Sequence, residues 1–256
     1  VQSGLCLAQG GTCGKGHELA GMKALLDVLV LKGCIVTMDA LGCQTELAEK
    51  IVARGGDYVL QVKDNQKNLA EALREFFDTG AAAGFGRLTV EHFEETEKDH
   101  GRIETRRYTW INDVTWMDRP MRAAWKKLGG VGMIESIRQI GDKVSVDQRY
   151  AIGSCGVQTV AMFAKASRSH WGIENGLHWT LDVVFREDQC RARLGNSARN
   201  LSVLRKFVLT TLRKEEGCKM GLNRRRLHAD RNESYRESLI ALAFSDRTSI
   251  NCMNSA

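Results

Sequence analysis

The sequence has little of what marks a secreted, membrane-embedded or metal-stapled protein. No apolar run reaches the length of a membrane span; the longest candidate, around Leu25 to Val30, is broken by Asp27 and Lys32. A basic start followed by an apolar stretch is missing, so nothing suggests secretion. Eight cysteines are scattered without a close pair, which excludes a zinc ribbon. In a long chain without a signal peptide they read as reduced, mostly buried thiols, and the expected location is the cytoplasm. Pro120 is the only proline, and there is no internal repeat or low-complexity tract. The chain opens on Val1, in strand-like residues, as a piece of a longer chain would.

What is present is an ordinary globular composition: at 43% hydrophobic and 27% charged, 256 residues can build one large domain or one domain with a sizeable insertion. The net charge is +6, but it is unevenly placed. Between Arg186 and Arg231 stand 13 Lys and Arg against 5 Asp and Glu, so the remainder is slightly acidic. A basic C-terminal third suits contact with a phosphate backbone, but on charge alone a solvated helix face is the better reading.

Periodicity orders the elements. Ser3 to Gln9 reads as a short strand ending in a Gly-rich turn, and Glu18 to Leu31 has helical spacing of Leu19, Met22, Leu25, Leu26 and Leu29. Cys34 to Met38 is the β-branched, apolar run of a strand buried on both faces, with Asp39 at its carboxyl end. A helix from Gln44 to Ala53, a buried strand from Tyr58 to Val62 and a helix from Leu69 to Phe77 follow. This alternation predicts an α/β core. From Arg87 to Trp110, polar and apolar residues alternate around a turn at Lys98 to Gly101, predicting a strand pair with one wet face. Pro120 precedes a short helix from Ala123 to Lys127, and strands at Val131 to Ile140 and Val144 to Ile152 complete a β-rich middle. Helices are expected again at Val160 to Asn175 and Ser197 to Leu212, then a polar, basic stretch with an apolar patch at Leu239 to Phe244.

Two acids stand out. An Asp directly after a buried strand is placed to hold a divalent cation through oxygen, or to cap the following helix. Further on, His170, Glu174 and His178 recur every four residues and would share one face of a continuous helix. The His-Glu-x-x-His spacing of a zinc protease is absent. Trp171 and Trp179 read as core residues.

Four segments carry a resemblance when taken in order: Val36 to Gln66, the His-Gly-Arg-Ile-Glu-Thr-Arg-Arg-Tyr run from His100, Arg149 to Ser154, and His170 to Arg193 with Asn200 to Lys206 behind it. Together they resemble the insertion-sequence transposases of the H-repeat-associated type, DDE enzymes with a ribonuclease-H-like core. The resemblance implies metal-dependent DNA strand cleavage and strand transfer by an Asp, Asp, Glu triad holding two Mg²⁺ ions, with Mn²⁺ as a substitute. Asp39 matches the second acid and Glu174 the third; both would be catalytic and metal-binding. No residue here matches the first Asp, which in the family sits on an earlier strand. The implied fold is thus an α/β ribonuclease-H-like core, a mixed sheet with helices, lacking its first strand or strands. Residues 1–78 form its first part, 79–155 a β-rich insertion, 156–215 the glutamate helix and the rest of the core, and 216–256 a basic tail.

Other positions matched by the resemblance suggest supporting roles. Lys63, Asn65 and Gln66, just past the second strand, could meet phosphate or a base, or form a turn with a helix cap. Arg102 and Arg106 face one way with Glu104 between them, toward DNA or in a cross-strand ladder. His170 and Asn175 flank the glutamate and would orient substrate or water. Asp182 and Asp188 read as a helix cap and a surface pair, and Arg224 to Arg226 as a phosphate contact or a disordered tail. The expected partners are transposon-end and target DNA and further copies of the chain, with no membrane and no small-molecule cofactor. With two acids of three, a truncated or inactive copy is the expectation. The rival readings are a non-catalytic DNA-binding remnant of such an enzyme and an unrelated metal-dependent hydrolase.

Overall fold

A computed structural model describes residues 16–99 and 101–244; the side chains of Asp99, Glu174 and Asn175 lie outside that description. So does the strand expected at Ser3 to Gln9, with Cys6, Cys13 and Cys252. The described chain divides into two compact units, residues 16–170 and residues 171–244.

The first unit is built on one six-stranded sheet in the order β1-β2-β6-β5-β4-β3. The strands are β1 (Ile35–Met38), β2 (Asp57–Val62), β3 (Val90–Asp99), β4 (Arg102–Ile111), β5 (Leu128–Ile140) and β6 (Lys143–Ser154). β1 and β2 are parallel and every other neighbouring pair is antiparallel, so the sheet is mixed. The β-rich middle of the chain therefore continues the sheet that β1 and β2 begin, through the β2–β6 pairing of Val59 with Gly153 to Val62 with Tyr150.

Burial follows from the alternation of side chains along a strand. In β2, Tyr58, Leu60 and Val62 enter one apolar cluster with α1 (Glu18–Val28), α2 (Thr45–Ala53) and α3 (Lys67–Ala83). Val59 enters a second cluster with Phe163 and Ala164 of α5 (Val160–Ile173). Helices thus cover both faces. In α2, Leu47, Ala48, Ile51 and Val52 are buried, a spacing that puts all four on one side of the helix. β1, expected to be buried on both faces, is only half-buried, because β2 is its sole strand neighbour among the described residues. Trp110, fully buried, stacks on Phe163 at 4.9 Å between ring centres. Glycine makes the room: a Cβ on Gly130 or Gly153 would stand 2.4 or 2.7 Å from the Trp110 ring.

Several boundaries differ from the periodicity. α3 runs on to Ala83, where Gly80 admits the Phe85 ring. Pro120 lies inside the first turn of α4 (Arg119–Ala124), which Asp118 caps by accepting from the Met121 N–H at 2.7 Å. The helix ends before Lys127, whose φ is +53°.

Past Ile173, where α5 ends, the second unit continues with a π-helical turn (Glu174–His178) and then α6 (Trp179–Val183). His170, Glu174 and His178 are therefore not carried by one continuous α-helix, as the four-residue spacing had assumed. Trp171 and Trp179, expected in the core, are exposed. α7 (Ser197–Lys214), α8 (Leu222–Arg231) and α9 (Glu233–Phe244) follow, so the basic stretch after residue 216 is helical from Leu222 to Phe244. Arg225 anchors it by donating to the Met220, Leu212, Glu215 and Cys218 carbonyls. Of the thiols, only Cys43 is buried among the described cysteines, and burial pushes it up to about 12; Cys34 and Cys155 are exposed. No helix among the described residues is long and apolar enough to cross a membrane.

Candidate active site

Asp39 follows the last residue of β1 and begins a 3-10 turn (Ala40–Gly42). Both readings of its position survive: its Oδ1 caps the turn by accepting from the Gly42 N–H at 3.3 Å, and the side chain is exposed. Oδ2 meets no donor among the described residues. Gly42 is required by crowding, since a Cβ there would come within 2.6 Å of the Met38 Cβ.

The turn is tied down from the next strand. Past β2, Lys63 begins a second 3-10 turn (Asp64–Gln66). Asn65 Nδ2 donates to the Ala40 carbonyl at 2.6 Å, and Gln66 Nε2 donates to the Cys43 carbonyl at 2.9 Å. The structure thus brings these two residues to the turn that follows Asp39, and spends their amides on its backbone. Lys63 is exposed beside them.

On the other face of the sheet, His170 Nδ1 lies 3.3 Å from Thr37 Oγ1, two residues before Asp39. The last turn of α5 is thereby joined to β1. A second tie comes from Arg168, which reaches across to β3: its Nη2 is 2.6 Å from Glu97 and its Nε 3.1 Å from Glu95. Neither Thr37 nor Arg168 was singled out by the sequence; Thr37 lies inside a segment that carried the resemblance, and Arg168 stands two residues before another. A hydroxyl on a strand and an arginine on a helix are too common to be noticed before their partners are known.

Arg106 stands in the same charged ladder. Its guanidinium is 14% exposed and contacts Glu97 at 2.9 Å, Glu95 at 4.0 Å and Glu104. Arg102 is 42% exposed and lies 3.7 Å from Glu104, which Arg138 also contacts at 3.1 Å. Hydrogen bonding from Arg106, reinforced by Arg168, holds the Glu97 carboxyl below its usual range. At Glu104 burial works in the opposite direction, and Arg138, Arg106 and Arg102 outweigh it, so that carboxyl is also held low. The ladder is a network of matched charges, and Arg106 is committed to it.

Glu174 and Asn175 occupy the π-helical turn that α5 runs into. Asp182, nearby in sequence, is raised by burial and by the charges of Asp188 and Glu187. Among the described residues no group of three or more His, Cys, Asp and Glu is arranged to hold a metal ion.

A family described as "Transposase DDE domain" matches residues 1–211. The chain belongs to the DDE transposase family. It is 36% identical over 241 residues to "Putative protein YbfL" of Escherichia coli (strain K12), covering 93% of this chain and 62% of the relative. "Putative transposase YncI" of Escherichia coli O157:H7 is 36% identical over 243 residues, 94% of this chain and 61% of that one. "H repeat-associated putative transposase YhhI" of strain K12 is 35% identical over 241 residues, with shares of 93% and 62%. The chain thus spans about six-tenths of the length of these relatives. The mixed sheet with helices agrees with a DDE transposase domain.

Proposed function

We propose that this chain contributes the second and third acids, Asp39 and Glu174, of a metal-dependent DNA strand-cleavage and strand-transfer site. The observation that carries the reading is Asp39 itself: an exposed carboxylate with one oxygen open, at the carboxyl end of a strand, in a DDE transposase domain. An anionic, hard oxygen donor suits Mg²⁺ or Mn²⁺. Asp39 and Glu174 would hold the two ions together with the family's first Asp, for which no residue of this chain is a match. When bound, such ions activate the attacking oxygen and stabilise the leaving one in an in-line phosphodiester displacement.

The chain's own residues divide the remaining work. Gly42, Asn65 and Gln66 set the path of the backbone around Asp39. Lys63 and Arg102, both solvent-facing, are the phosphate contacts near the sheet, whereas Arg106 belongs to the ladder. His170 orients the end of the glutamate helix through Thr37, and Asn175 lies next to the acid. Arg186, Arg191, Arg193 and Arg199, all exposed, give DNA a basic track. Assembly on DNA as several copies belongs to the same proposal.

The test separates metal binding from DNA binding. Titration of the full chain with Mn²⁺, followed by electron paramagnetic resonance, is expected to show Asp39→Asn weakening Mn²⁺ binding at least tenfold. Affinity for a labelled duplex without metal should stay within twofold. Mn²⁺-dependent nicking of supercoiled plasmid, where present, should vanish in both Asp39→Asn and Glu174→Gln. If the doubly substituted protein binds Mn²⁺ as the parent does, the assignment fails. DNA binding with no Mn²⁺ binding by the parent chain would instead support the non-catalytic remnant.

A further inference from the structure

The exposed edge of β6 is self-complementary, and we propose that it pairs two copies of this chain through an antiparallel strand contact centred on Ser145. Ile140 and Lys143 face each other across the two-residue turn Gly141-Asp142, in which Gly141 has a φ of +57°. In such a hairpin the closing pair is hydrogen-bonded, and bonded pairs then alternate along the ladder. Ser145 and Asp147 therefore spend their backbone groups on β5, while Val144 and Val146 point theirs away from it. Further along β6, Tyr150 and Ile152 have the same parity and spend those groups on β2. β2 extends no further than Val62, opposite Tyr150. Beyond that point the edge meets no strand among the described residues, and residues 143–148 are all exposed.

An open edge of this kind is a template for pairing, normally blunted by proline, a bulge or a row of charge. Here it carries Val144 at 61% and Val146 at 57% exposure. The occupant follows from register. Outward-pointing backbone groups must meet outward-pointing groups, so a two-fold axis can pass through Ser145 or through Val146, but not midway between them. An axis at Val146 sets Lys143 opposite Arg149, like against like. An axis at Ser145 sets Lys143 opposite Asp147 twice and Val144 opposite Val146 twice. Charge selects the second, which makes about four interchain hydrogen bonds. Asp147 already contacts Arg149 at 2.7 Å and keeps 60% of its side chain exposed for the partner's lysine. The contact is isologous and closes at two copies.

Sedimentation of the full chain in the absence of DNA and metal tests this separately from catalysis. Asp147→Lys should weaken dimerisation at least tenfold, and the charge exchange Lys143→Asp with Asp147→Lys should restore it to within threefold. At the axis, the two Ser145 Cα atoms would stand about 4.5 Å apart, within disulfide reach. Under copper-phenanthroline, Ser145→Cys should give a reducible dimer well above the background of the native thiols. Lys143→Cys, displaced about 13 Å from its copy, should not. Equal cross-linking of both variants, or a dimer indifferent to Asp147→Lys, would overturn the proposal; circular dichroism confirms that each variant is folded.

Discussion

The Arg168 tie is the point at which the end of α5 can be loosened without touching either proposed acid. Replacing Arg168 with Met keeps the aliphatic stem and removes two ion pairs, at 2.6 Å to Glu97 and 3.1 Å to Glu95. Arg168 is 35% exposed and Glu97 51%, so solvent screens both contacts. Pairs of this exposure contribute about 0.2–1 kcal/mol each. Glu97 and Glu95 are not stranded by the change, because Arg106 still lies 2.9 and 4.0 Å from them. The whole loss should therefore be about 1 kcal/mol, with a coupling of about 0.5 kcal/mol between Arg168 and Glu97 in a double-mutant cycle. Urea denaturation measures the cycle, and hydrogen exchange locates it: the amides of the last turn of α5 should exchange about fivefold faster. β2 amides should change only as much as global stability does. Adding 0.5 M salt should shrink the coupling. A coupling below about 0.2 kcal/mol, or protection lost evenly across the sheet, would refute the idea that this ion pair holds the helix end.

Ser154→Ala tests the join between β2 and β6. The fully buried Ser154 hydroxyl accepts from the Tyr58 N–H at 3.0 Å and donates to Asp57 Oδ1 at 2.6 Å, so its loss orphans a buried donor. A loss of about 2–4 kcal/mol in urea denaturation is expected, and a loss under about 1 kcal/mol would contradict it. Acid provides a second test. Glu97 and Glu104 titrate below their usual range in the folded protein. Their stabilisation is therefore present above the unfolded-state value and is lost as pH falls through the folded one. Denaturant midpoints should decline from about pH 5 downward, and Glu97→Gln with Glu104→Gln should flatten that slope. An unchanged slope would mean that other carboxylates govern it.

The strands and helices of the first unit were legible because their patterns are local. Tyr58 to Val62 is an unbroken apolar run, and Asp99 and Arg102 flank a turn with glycine at its end. The union of the β-rich middle with the first strands was not legible, since it rests on Val59 to Val62 meeting residues some ninety positions later. The C-terminal helices were hidden for another reason. Leu222 to Arg231 is mostly polar, and it is held largely by the Arg225 and Arg236 guanidinium groups bonded to backbone carbonyls, which leaves no hydrophobic period to read. The exposed Trp179 and half-buried β1 show the converse: an apolar residue announces that burial is favourable, not that a neighbour exists to provide it.

At the site, position was easier to read than use. Asp39, Lys63, Asn65 and Gln66 were all expected past strand ends, and the last two bond the turn that follows the first. A side-chain amide can serve a nucleic acid or a neighbouring carbonyl with the same hydrogen bond, and composition does not distinguish the two. Geometry does. Asn65 and Gln66 already satisfy the Ala40 and Cys43 carbonyls, so turning either toward DNA would leave a backbone acceptor to be paired elsewhere. Lys63 and the open oxygen of Asp39 carry no such obligation among the described residues. The division between groups that hold the turn and groups that are available to a ligand thus follows from hydrogen-bond accounting. If Asp39 serves as proposed, substitutions at Asn65 should lower Mn²⁺ binding by displacing the Asp39 turn, rather than by deleting a DNA contact.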